Sequence, residues 1–173
     1  MKKIVFMGTP LFAVPILKSI LSKGYNIPLV YTQPPSKSNR GHKVSKSPIH
    51  KFCEENDLKV RTPENFYKLD DEKNILEKLE ADIAIVVAYG QILPQGILHV
   101  CKKGFINVHA SLLPKLRGAA PIQRSIKNLD NETGISIMQI NEKLDQGKVY
   151  SQYKININRE DNAEDLSLKL SNL

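Results

Sequence analysis

At 173 residues, 41% hydrophobic and 25% charged, the chain has the makeup of a single soluble globular domain and not of a disordered or fibrous one. No segment approaches the roughly 20 consecutive apolar residues of a membrane helix, so no membrane partner is expected. The net charge of +7 is concentrated: residues 32–48 carry Lys37, Arg40, Lys43 and Lys46, residues 107–129 carry Lys115, Arg117, Arg124 and Lys127, and neither segment holds an acid. These patches account for the whole excess. They suit a polyanion such as nucleic acid, whose phosphates attract clustered Lys and Arg, although a solvated loop explains either patch alone equally well.

In chain order, Ile4 to Met7 is a short apolar run ending at Gly8 and predicts a buried strand. The opening "MKKIVFMGTPLFAVP" faintly resembles a signal peptide, but Gly8, Pro10 and Pro15 break its apolar run. Apolar residues at 12, 13, 16, 17, 20 and 21 predict a helix that tolerates Pro15 near its start and closes at Gly24. "IPLVYT" (27–32) reads as a strand, and Ser47-Pro48 as the N-cap and first position of a helix reaching about Asn56. A helix over 70–80 follows, with Ile75, Leu76 and Leu79 on one side; "ADIAIVVAY" (81–89) then predicts a central strand. "FINVH" (105–109) is a further strand, followed by a loop and a short helix near 121–128. Strands at 133–140 and 148–157 pair around the turn "KLDQG" (143–147). The last helix is expected to begin at Asp161 as cap, with Glu164 three later and a stripe of Leu166, Leu170 and Leu173. Alternating strands and helices imply an α/β fold with a mostly parallel sheet, and the late strands an antiparallel pair near the C-terminal part.

Cys53 and Cys101 have neither C-x-x-C spacing nor a His at zinc-ligand spacing, so no metal is expected and a reduced, cytoplasmic setting fits. Gly8 ends the first strand, but "GTPLFA" lacks the G-x-G-x-x-G of a dinucleotide site. Asn107 and His109 are two apart on a predicted strand, so their side chains share a face at its C-terminal end, where open α/β sheets place ligands. An amide N–H can stabilise an oxyanion, and an imidazole can move a proton near neutral pH; together they suit attack on a carbonyl. Taken alone, an Asn-x-His pair is more often structural. Asp145 is either an ordinary turn residue or a carboxylate that orients His109. In the loop after the Asn and His, Leu112 and Leu113 are expected to be buried, against core or a flat apolar ligand. "VAYGQILP" (87–94) ends the central strand, and the two strand ends are expected either to line one pocket or to pack on each other.

"FMGTP", "VYTQP", "VVAYGQILP", "NVHASLLPKLRGAAPIQ", "ETGISIMQI" and "LDQGKV", in that order, resemble the methionyl-tRNA formyltransferases among the enzymes that use 10-formyltetrahydrofolate. The likeness covers essentially all 173 residues and corresponds to that family's N-terminal catalytic domain. It implies a Rossmann-like formyltransferase fold, 10-formyltetrahydrofolate as formyl donor without a metal, and initiator methionyl-tRNA as acceptor. It implies Asn107, His109 and Asp145 as the catalytic trio, and Ser111, Leu112, Leu113, Pro114, Tyr89 and Gly90 around the folate. It further implies Lys37, Arg40 and Lys43 on a loop that meets the tRNA, Phe12 beside the methionyl side chain, and a cytoplasmic monomer. The family's C-terminal β-barrel domain has no counterpart in these residues. Two rivals are formyl transfer to another amine, such as an amino-sugar nucleotide, and a non-catalytic RNA-binding domain.

Overall fold

The structure is a computed structural model that describes residues 1–38, 43–66 and 70–173. Its chain forms two compact units, Met1–Phe105 and Ile106–Leu173. The first is built on four parallel strands in the order β5 (Val60–Arg61), β2 (Asn26–Tyr31), β1 (Lys3–Gly8), β6 (Ile83–Val87). β1 lies between two neighbours and is buried from Ile4 to Gly8, which is why it reads as an unbroken apolar run and not an alternating one. Helices α1 (Ala13–Ser22), α2 (Pro48–Glu55) and α3 (Asp70–Leu79) connect the strands, in the alternation the sequence predicts. Ser47 caps α2 as expected, its Oγ accepting from His50 N at 3.0 Å with Pro48 next.

Packing explains Gly8. A Cβ there would lie 2.8 Å from the Phe6 ring, 2.9 Å from Ala13 Cβ and 3.0 Å from the Val87 carbonyl, so only glycine lets the β1 turn press against the end of β6. Below that end, Phe66 meets Tyr31 (centroids 5.2 Å) and the edge of Tyr89 (5.9 Å). Tyr31 Oη donates to Glu72 Oε2 at 2.8 Å, and Arg61 Nη2 donates to Glu72 Oε1 at 2.6 Å, so a carboxylate 2% exposed is fully partnered.

In the second unit, β7 (Phe105–His109), whose residues from Ile106 belong to it, pairs antiparallel with β8 (Glu132–Gln139), and β8 with β9 (Val149–Asn156). Helices α4 (Pro121–Lys127) and α5 (Ala163–Ser171) complete it. The antiparallel pair near the C-terminal part is thus present, and β9 is largely exposed.

Three features depart from the sequence reading. Helix α5 is capped by Asn162, not Asp161: Asn162 Oδ1 accepts from Glu164 N and Asp165 N, and Asp165 Oδ2 accepts from Asn162 N. N-x-x-D and D-x-x-E lie one residue apart and both satisfy capping chemistry. Asp161 is engaged by Lys169 Nζ at 2.6 Å and Asn158 N at 2.9 Å, which settles the choice. Leu173 lies beyond the helix and is exposed, while Leu166 and Leu170 are buried. Finally, the acid-free segment 32–48 holds an antiparallel strand pair, β3 (Ser36–Ser38) with β4 (Lys43–Ser45), and β5 adds a two-residue strand; runs so short and polar carry no periodicity to read.

Candidate active site

Strand β7 delivers Asn107 and His109, and the turn after β8 delivers Asp145. The second unit brings all three together. Asn107 Nδ2 donates to Asp145 Oδ1 at 3.4 Å, and His109 Nδ1 stands 3.7 Å from Asp145 Oδ2, an ion-pair distance rather than a hydrogen bond. The other ring nitrogen, Nε2, meets the Leu116 carbonyl at 3.0 Å. Each nitrogen of His109 therefore faces an acceptor. A carbonyl only accepts, so Nε2 carries the hydrogen in this arrangement.

Both acceptors sit on unusual backbone. Leu116 (φ 56°) and Asp145 (φ 48°) occupy the left-handed region, rare for residues with a Cβ. Asp145 Oδ2 also accepts from Gly118 N at 2.8 Å, so one carboxylate faces His109, Asn107 and the loop that carries Leu116.

That loop is tied internally and from the sheet. Ser111, 1% exposed, donates its Oγ to the Lys115 carbonyl at 2.6 Å, so its hydroxyl is committed within the loop. Leu113 is buried as expected, Leu112 half-buried and Pro114 exposed. Two residues that sequence reasoning passed over hold the segment down. Ser136 Oγ donates to Ser111 O (2.6 Å) and accepts from Leu113 N (3.0 Å), and Gln152 Nε2 donates to Leu113 O and Ser136 Oγ (both 2.9 Å). His109, Ser136 and Gln152 stand in register across β7, β8 and β9. Only the pairing of those strands could have shown it.

The remaining predicted residues belong to the first unit. Tyr89 is 1% exposed, and burial pushes its phenol pKa up; its Oη has no partner among the described residues. Its carbonyl accepts from Thr9 Oγ1 (2.8 Å) and Gln33 Nε2 (3.2 Å), which fastens the turn containing exposed Gly90. Phe12 directly precedes α1 and is buried. Lys37 and Lys43 lie on β3 and β4, and Arg40 falls outside the described residues. In the second basic segment Arg124 Nη1 donates to the carbonyls of Arg117 and Ala119, while Lys115, Arg117 and Lys127 are exposed. A hollow of about 620 Å³ in the first unit, lined by Ile27, Pro28, Leu29, Leu58 and Ile75 among others, touches the start of β2 and none of these residues. Among the described residues, no three His, Cys, Asp or Glu cluster as metal ligands, and no helix is long and apolar enough to cross a membrane.

The profile of a family described as formyl transferase matches residues 1–173. The chain belongs to that family. It is 61% identical over 170 residues to a methionyl-tRNA formyltransferase of Pelagibacter ubique, covering 98% of this chain and 55% of the relative. The corresponding protein of Paramagnetospirillum magneticum is 50% identical over 153 residues, 88% of this chain and 50% of the relative. The chain thus spans about half the length of the curated relatives it matches. Among solved structures, a phosphoribosylglycinamide formyltransferase of Anaplasma phagocytophilum superposes with a TM-score of 0.78 at 19% identity, over 98% of this chain and 79% of the other, a likeness of fold.

Proposed function

We propose that the chain transfers a formyl group from 10-formyltetrahydrofolate to the α-amine of initiator methionyl-tRNA, with Asn107, His109 and Asp145 as the catalytic residues. The observation that carries this reading is His109 held between Asp145 and the Leu116 carbonyl, with the Asn107 amide on the same strand face. The acceptor follows from the names of the relatives and from the two acid-free basic segments.

The amine attacks the formyl carbon, and the carbonyl π pair moves onto oxygen. The second Asn107 N–H and the His109 imidazolium stabilise that oxyanion, while Asp145 balances the imidazolium charge. As the oxyanion collapses, the carbon–N10 bond breaks and the amine's proton passes to N10, directly or through water, with Asp145 assisting. Leu112 and Pro114 offer apolar surface to the flat folate; the Ser111 hydroxyl, committed to Lys115, and buried Leu113 shape the loop instead. Buried Tyr89 supports the Gly90 turn from beneath. Phe12 serves the methionyl side chain, and Lys37, Arg40 and Lys43 the tRNA phosphates.

The test is incubation of the full chain with 10-formyltetrahydrofolate and charged initiator tRNA, scored as formylmethionine after hydrolysis, with an amino-sugar nucleotide as competing acceptor. Formylmethionine that resists the competitor is expected. Preferential formylation of the sugar, or RNA binding with no turnover, overturns the reading.

A further inference from the structure

Ser136 and Gln152 have no place in the chemistry above, yet among the described residues they make the side-chain ties from β8 and β9 to residues 111–113. Ser136 is fully buried and acts on both sides of Leu112: it donates to the carbonyl before it and accepts from the N–H after it. Gln152 adds the Leu113 carbonyl and the Ser136 oxygen. Three residues beyond Leu113 comes the left-handed Leu116, whose carbonyl meets His109 Nε2. A non-glycine residue in that conformation is strained and persists only where its surroundings over-determine it. The Ser111–Lys115 bond carries the constraint across the loop, and Asp145 holds its far end at Gly118.

We infer that Ser136 and Gln152 are positioning residues that fix the 111–116 segment so that the Leu116 carbonyl holds the Nε2 hydrogen and the ring orientation of His109. Gln152 acts as a donor, not as packing volume, because it is exposed and its amide makes both contacts. The inference deepens the proposed function and rests on it for its kinetic arm alone.

The experiment compares Gln152→Met, which keeps length and loses the donor, with Gln152→Lys, which changes shape and keeps a donor; Ser136→Ala is a second loss variant. The full chain, labelled with ¹⁵N-histidine, reports the His109 ring nitrogens by NMR, and formylation gives kcat and KM for 10-formyltetrahydrofolate. The wild type shows an Nε2-bound hydrogen at His109. Gln152→Met and Ser136→Ala shift those signals and lower kcat/KM by about tenfold, the scale of one or two lost hydrogen bonds, and Gln152→Lys restores both readouts. Unchanged His109 signals in Gln152→Met overturn the inference whatever the kinetics, and failure of Gln152→Lys to rescue overturns the donor role. A wild type that neither binds the folate nor transfers formyl sinks the proposed function instead, and the NMR comparison still decides the clamp.

Discussion

Replacing Asp145 by Asn removes a charge while keeping shape and one acceptor oxygen. The carboxylate stands 3.7 Å from His109 Nδ1, and the two side chains are only 12% and 7% exposed. Two unit charges at that distance interact by about 4 kcal/mol at an effective dielectric of 20. In the proposed mechanism the interaction counts toward rate, because there the imidazolium is the form that stabilises the oxyanion and most of the interaction is at stake in the transition state. The expected result is a fall of roughly a hundred- to a thousandfold in single-turnover formylation, corresponding to about 3–4 kcal/mol of barrier. The amide introduced by Asp145→Asn still offers an oxygen to Gly118 N, so the thermal midpoint is expected to move by no more than about 3 °C, the effect of about 1 kcal/mol in a chain of this size. The assay is rapid-quench formylation with both substrates saturating, alongside thermal unfolding by circular dichroism. A rate within about threefold of wild type with the fold intact refutes the electrostatic argument, since the barrier change would then fall below about 1 kcal/mol.

Glu72→Ala strands the buried Tyr31 hydroxyl, while half-exposed Arg61 turns to water, so the loss is expected near about 2–3 kcal/mol, below that of a fully buried ion pair. Urea unfolding checks it, and adding Tyr31→Phe should recover part of the loss. Gly134→Ala drives a Cβ into the Tyr153 carbonyl and to 2.6 Å from Leu112 Cδ2, so β8 and β9 must part locally; a cost of about 2–3 kcal/mol and a midpoint lower by roughly 5–10 °C are expected by calorimetry. Burial pushes the Cys53 and Cys101 thiols from 9.0 up to about 11. The folded state therefore holds protons that the unfolded state loses: this contribution is whole below pH 9 and fades as pH rises toward 11. Denaturant midpoints over that range should fall less steeply in the Cys53→Ala, Cys101→Ala double variant. Replacing Lys37 and Lys43 together by Ala should weaken tRNA binding and flatten its salt dependence by about two in slope, measured by filter binding from low to moderate salt.

The α/β class was legible because β1 and β6 are buried strands flanked by amphipathic helices, and burial writes apolar runs and helical spacing directly into composition. Strand alternation also placed Asn107 and His109 on one face, and Ser47-Pro48 announced its helix start, since such signals span only a few bonds along the chain. Where two local signals compete, as Asp161 and Asn162 do, sequence gives the neighbourhood of the cap but not the residue; the ion pair with Lys169, eight positions away, decides.

What only the tertiary structure decided is how distant groups converge. Asp145 lies 38 residues from Asn107, and an Asp in a turn looks the same whether or not it faces a histidine. Ser136 and Gln152 were invisible as functional candidates, because their roles depend on the register that sets them level with His109. The Leu116 carbonyl is a backbone atom whose direction comes from a left-handed φ that a leucine does not advertise. Local propensity is stored in neighbouring residues, whereas a hydrogen bond across three strands is stored in the packing of the whole unit.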